Sequence, residues 1–144
     1  MRHFLGLAMQ TFLPYEDFHA SAKCLDSRRL GNQCYNETYV LINGGWQQHP
    51  ASKMWRNYRP ALARYGLILA LEMRNRGGWR QTVTDRWINY YTGMCHYCGP
   101  YQRPHWLGDE AFHLSHQSNL KRKDSVHYPF PGVPNDLPYV WPVK

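Results

Sequence analysis

Apolar positions recur along this chain at helical spacing, and the breaks between them fall at residues that start or stop helices. Asp17 is a good N-cap for a first helix running through Lys23. A second helix begins near Asp26 and ends before Gly44. At about 100° per residue, Asp26, Leu30, Gln33, Glu37 and Leu41 share one of its faces, flanked by Cys34 and Thr38. A carboxylate within such a core-like stripe is costly unless something pairs with it. Pro50, directly after His49, reads as a first-turn proline opening a short helix with Met54, Trp55 and Tyr58. Pro60 starts another helix, Ala61 to Arg76, which Gly77 ends. Its middle, Gly66 to Leu71, is apolar all round and predicts a central helix buried on several sides. Residues 82–92 predict an aromatic helix, and 93–108, with Gly, Pro and aromatics, a loop. Asp109 caps a last helix reaching about Lys123, with basic residues in the final turn where the helix dipole favours them. From His127 onward five prolines interrupt any helical period, which predicts an extended aromatic strap on the body. The expected fold is all-α: a compact single-domain helical fold over 1–144 with an extended aromatic C-terminal tail. Residues 1–8 precede a second methionine, Met9, and read as an extension or an alternative start.

Composition narrows the function classes. The 144 residues suffice for one core, and 43% hydrophobic with 15% aromatic content excludes disorder as the overall state. No apolar run approaches the roughly 18 residues of a membrane span. No secretory segment of adequate length follows the start, so a cytoplasmic protein without a membrane partner is expected. Cys24, Cys34, Cys95 and Cys98 read most simply as free thiols in a reducing compartment. A net charge of +7 and a pI near 9.4 favour a polyanionic partner, nucleic acid first.

Several constellations can carry chemistry. Glu37, buried near basic side chains, suits a general acid or base or a stabiliser of a cationic sugar; Asp26 suits the same role or a plain helix cap. His113 and His116 fall on one side of the last helix, as phosphate donors, proton shuttles, metal ligands or satisfied structural histidines. His49 is a third candidate. Cys95-His96-Tyr97-Cys98 has metal-like spacing but lacks an evident second pair, so an ordinary loop with no metal is expected. Basic groups at Arg28/Arg29, Lys53/Arg56/Arg59, Arg74/Arg76/Arg80 and Lys121/Arg122/Lys123 suit phosphates or a solvated face. Trp55, Tyr139 and Trp141 suit stacking on bases.

The stretch from His49 through Tyr58 and Leu62 to Arg76, ending in Arg-Gly-Gly, resembles the central helix of the phage-type pyrimidine-dimer DNA glycosylases. Arg28-Arg29-Leu30 and Asn119 to Lys123 with the aromatic end resemble other parts of that family. Met9 to Pro14, Leu30 to Gln33, His49-Pro50, Met54-Trp55, Leu107 to His113 and Leu137 to Pro142 resemble a bacterial and phage branch of the superfamily. The resemblance implies an all-helical DNA-repair enzyme without a cofactor, with an N-terminal amine as nucleophile and one essential Glu. It also implies that a nucleotide is flipped from the duplex. The family's Thr directly follows the initiator Met, whereas Thr11 follows Gln10; the family's Glu aligns near Arg29, and Glu37 stands about two turns further on.

The function expected is therefore base excision on duplex DNA by a monomer. Glu37 acts on the sugar, assisted by Asp26, His113 or His116, and Thr11 is the inherited nucleophile position. Arg28, Arg29, Gln33, His49, Lys53, Arg56, Lys121, Arg122 and Lys123 contact DNA, with Trp55, Tyr139 and Trp141 stacking. A non-catalytic nucleic-acid or nucleotide-binding module on the same frame is the alternative, and a nucleotide-processing enzyme using the two histidines a third reading.

Overall fold

The computed structural model describes residues 10–142, and among them there are helices and no strands. The elements are α1 (Phe18–Cys24), α2 (Ser27–Asn32), a π-helical segment (Gln33–Glu37), α3 (Thr38–Ile42), α4 (Pro50–Trp55), α5 (Arg59–Arg76), α6 (Gln81–Cys98) and α7 (Glu110–Lys123). The starts fall where the capping residues place them. The Asp17 carboxylate accepts from the Ala20 N–H, the Asp26 carboxylate from the Arg29 N–H, and His49 Nδ1 from the Ala51 N–H beside Pro50. Asp109 precedes α7 without a side-chain capping bond.

α5 is the centre of the core, with Leu62, Tyr65, Leu69 and Met73 sealed from solvent. α6 packs along it, and Gly66 makes the close approach possible. A Cβ there would lie 2.4 Å from the Tyr91 ring. The Tyr91 hydroxyl donates to the Cys34 carbonyl, which ties α6 to the π-helical segment.

Two elements depart from the expected boundaries. The predicted 93–108 loop begins only after Cys98, because α6 continues through Gly93. Gly93 faces open space and costs the helix only about 1 kcal/mol, while Tyr91, Met94 and Cys95 beyond or beside it pack on the core. Cys95 to Cys98 therefore form the last turn of a helix. The second helix is also not uniform. Its Gln33–Glu37 turn is π-helical, and along the whole stretch Leu30, Gln33 and Leu41 are buried, whereas Asp26 and Glu37 are half-buried.

Residues 10–14 run extended through the interior, and their backbone groups bond to side chains instead of a strand. Gln33 Oε1 accepts from the Phe12 N–H at 2.8 Å, and Gln33 Nε2 donates to the Gln10 carbonyl at 2.8 Å. Tyr65 donates to the Phe12 carbonyl, and Gln117 to that of Pro14. The C-terminal tail lies extended on the body as expected. Ser118 Oγ accepts from the Leu137 N–H and Ser115 Oγ from that of Val140.

Candidate active site

Arg29, Gln33 and Glu37 follow one another at single-turn spacing along the helix that borders the 10–14 segment. Gln33 is wholly engaged in holding that segment. Glu37, one turn on, differs: its Oε1 is buried and has no hydrogen-bond partner among the described residues. No ion pair among the described residues reaches it. Burial pushes its carboxyl above the ordinary range, opposed only by its own backbone N–H. Gln10 Nε2 is likewise buried and unpartnered, on the residue whose carbonyl Gln33 holds. Thr38 Oγ1 and His116 Nε2 are unpartnered in the same way, and such uncommon buried atoms call for strain, a water, a ligand or a reaction to account for them.

Asp26 behaves differently. Burial pushes its carboxyl up, but the Tyr128 hydroxyl and Arg29 outweigh this and hold it below the ordinary range. Arg29 Nη1 lies 3.0 Å from Asp26 Oδ1. Tyr128 donates to the same oxygen and accepts from the Asp26 N–H at 2.8 Å. With the cap bond added, Asp26 is a saturated acceptor that aims Arg29, whose guanidinium stands 5.8 Å over the Tyr128 ring. The Asp26–Tyr128 partnership spans 102 residues, and no local signal in the sequence announces it.

Arg29 stands close enough to Lys123 and Tyr139 for its charge to act on both, and Arg122 does the same. Burial lowers the Lys123 ammonium first, with Arg29 and Arg122 adding to it. Burial raises the Tyr139 hydroxyl to about 12 against the pull of the two arginines. A positive cluster thus gathers at one end of the helix that carries Glu37. Arg28 is exposed beside it. Lys121 and Arg122 also anchor the tail. Lys121 Nζ donates to the Phe130 and Val133 carbonyls, the latter at 2.7 Å, and Arg122 Nη1 to that of Asn135 at 2.8 Å. Tyr139 then packs on Phe12 and His116, and Trp141 on Tyr139 and His49. The Tyr139 ring thus packs against the 10–14 segment at Phe12. Lys53 is half-buried on α4, and Arg56 donates to the Gln47 carbonyl.

Other candidates are placed in the interior. Trp55 is 1% exposed and its Nε1 donates to Thr11 Oγ1 at 2.8 Å, so it is a core ring instead of the expected stacking platform. Thr11 is buried with it, and its backbone N–H bonds to Gln10 Oε1 at 3.0 Å. His113 Nδ1 donates to the Leu13 carbonyl at 2.7 Å, while its Nε2 accepts from the Gly108 N–H at 2.9 Å. His116 Nδ1 accepts from the Leu13 N–H. Burial lowers His113 despite the Leu13 carbonyl, and drives His116 down to about 3. Both rings are neutral holders of the interior segment. The four cysteines are unpaired, and no group of three or more His, Cys, Asp or Glu gathers among the described residues.

A family model described as pyrimidine dimer DNA glycosylase matches residues 9–89. The chain belongs to this family. The matched stretch carries the interior segment, Asp26, Arg29, Gln33, Glu37 and His49, and ends inside α6. α7 and the tail, with Arg122, Lys123, Tyr139 and Trp141, lie beyond it. A search of curated proteins and one of solved structures each found no match. The helical frame and the family implied by the sequence motifs are therefore both borne out. No described helix of this glycosylase-family chain is long and apolar enough to cross a membrane.

Proposed function

We propose that the protein excises a damaged or modified base from DNA, with Glu37 as the acid that acts on the glycosidic bond. The observation that carries this reading is the buried Glu37 oxygen without a partner, on the family-matched helix one turn from Gln33 and two from Arg29. A carboxyl raised by burial can hold its proton for a leaving base or take one from water. As the anion it can stabilise the oxocarbenium-like sugar. Asp26, His113 and His116 are saturated or neutral, which leaves Glu37 as the acid of this site. Arg29, oriented by Asp26, takes a phosphate together with Arg28, Lys123 and the remaining donors of Arg122. Tyr139, Trp141 and His49 face the strand beside the 10–14 segment, and DNA is the partner.

Thr11 is buried and joined to Gln10 by a peptide bond, so water is the nucleophile in this reading. The test is incubation with duplexes carrying uracil, ultraviolet photoproducts or an abasic site, with borohydride present in parallel. Base release that Glu37→Gln abolishes is expected, without a trapped covalent adduct. Excision undiminished in Glu37→Gln, or salt-sensitive binding with no excision of any of these lesions, rejects the assignment.

A further inference from the structure

A cavity of about 480 Å³ opens between the end of α3, the 43–49 loop, α4 and the last turns of α6. This size lies within the roughly 300–1,000 Å³ of small-molecule sites. Ile42, Leu62 and Met94 supply an apolar floor. Arg56 and Arg59 supply its charge, and both are fixed by the cavity's own walls. Arg59 Nη2 donates to the Ile42 carbonyl at 2.6 Å, and Arg56 to the Gln47 carbonyl. A guanidinium has five N–H donors, so one anchoring bond orients it and leaves donors for a ligand. Ser52 and the Gln47 amide stand beside them.

Among the described residues, no carboxylate lines this cavity. A larger groove runs along α5. There Arg103 pairs with Glu16 at 2.5 Å, and Arg64 stands 5.1 Å over the Tyr101 ring, so each arginine already has its counterpart. The smaller cavity is lined by two arginines and apolar side chains with no carboxylate of the described residues, and Tyr97, 78% exposed, lines it too. Two guanidiniums on one cavity suit a phosphate, while an exposed phenol ring and apolar walls suit a flat base.

We propose that this cavity is a nucleotide subsite, in which Arg56 and Arg59 hold a phosphate and Tyr97 and Met94 take the attached base. It deepens the excision reading and rests on it only for the source of the nucleotide, a DNA strand that also reaches Glu37. Leu41, which lines the cavity, is one helical turn from Glu37. The two features lie within a few nucleotides of each other along such a strand.

Thymidine monophosphate and thymidine are the probes, titrated while the Nε–H resonances of Arg56 and Arg59 are followed by NMR. Saturable shifts with the monophosphate are expected, with thymidine at least tenfold weaker. Arg59→Gln is expected to lose at least tenfold in monophosphate affinity. Because Arg59 also holds the end of α3, the exposed Gln47→Glu is a second variant. It places a carboxylate at the mouth and is expected to weaken the monophosphate by a similar factor with an unchanged melting temperature. Equal binding of nucleoside and nucleotide, no shift at either arginine, or unaltered affinity in Gln47→Glu overturns the subsite. Base excision is scored separately: excision present with no nucleotide binding overturns the subsite alone, whereas binding present with no excision overturns only the enzymatic reading.

Discussion

His116 receives the backbone N–H of Leu13 on its Nδ1 at 2.9 Å, across 103 positions of the chain, and keeps a buried Nε2–H that no acceptor among the described residues meets. The ring is therefore in one tautomer and neutral. Burial, with His113 adding to it, lowers its pKa from 6.5 to about 3. An unfolded chain protonates this histidine below pH 6.5 while the folded one does not. Folding stability is thus unaffected by this group above pH 6.5 and falls as the pH drops from there toward 3. The loss is at most about 1.4 kcal/mol per pH unit. Urea denaturation at pH 7, 6 and 5 is expected to show a shallower acid slope in His116→Gln than in the parent. Equal slopes would mean that the ring protonates in place.

Glu37 has the opposite linkage. Its carboxyl is raised in the fold, so the stability that it contributes is greatest while it is protonated, below the unfolded value of 4.5. That contribution is lost as the pH rises through the folded pKa. Above 4.5 the buried, unpaired carboxyl is therefore a burden on the fold, and Glu37→Gln is expected to raise the melting temperature by a few degrees at pH 7 and by less at pH 4. A lowered melting temperature at pH 7 would indicate an interaction that holds the carboxylate, against the role assigned to it. A residue that destabilises the fold where it is needed for reaction is the signature expected of a functional acid.

Gly66 is needed for the contact of α5 with α6. A methyl group there meets the buried Tyr91 ring at 2.4 Å, and that ring is fixed by its bond to Cys34. Gly66→Ala is expected to destabilise by about 1–3 kcal/mol. Tyr91→Leu in the same chain should make the two losses less than additive, because it vacates the space. A strictly additive pair in urea denaturation would place the strain elsewhere.

Much of this architecture is readable from local sequence, because helix starts depend on short-range chemistry. Asp17, Asp26 and Pro50 cap or open helices as their positions imply, and Gly77 ends α5 with a φ of 79°. Gly93 misleads for a physical reason. A glycine weakens a helix only slightly, and the packing of Tyr91 and Met94 on either side carries α6 through it. The site is less legible. Periodicity places Gln33 and Glu37 on one face, yet only the fold determines that Gln33 is saturated by residues 10 and 12 while Glu37 is left over. The two histidines of α7 share a side in the sequence, but the Leu13 backbone groups that both of them hold are a hundred residues away. The burial of Trp55 likewise follows from long-range packing against Thr11 and Trp106.

The interior course of residues 10–14 also governs the order in which the polypeptide can mature. Among the described residues, the backbone groups of Leu13 and Pro14 find their partners on the last helix, at His113, His116 and Gln117. A nascent chain that has emerged only as far as α6 must keep these peptide groups hydrated, and so cannot close its centre. Completion waits for α7 to leave the ribosome, which makes the earliest-synthesised described segment among the last to settle.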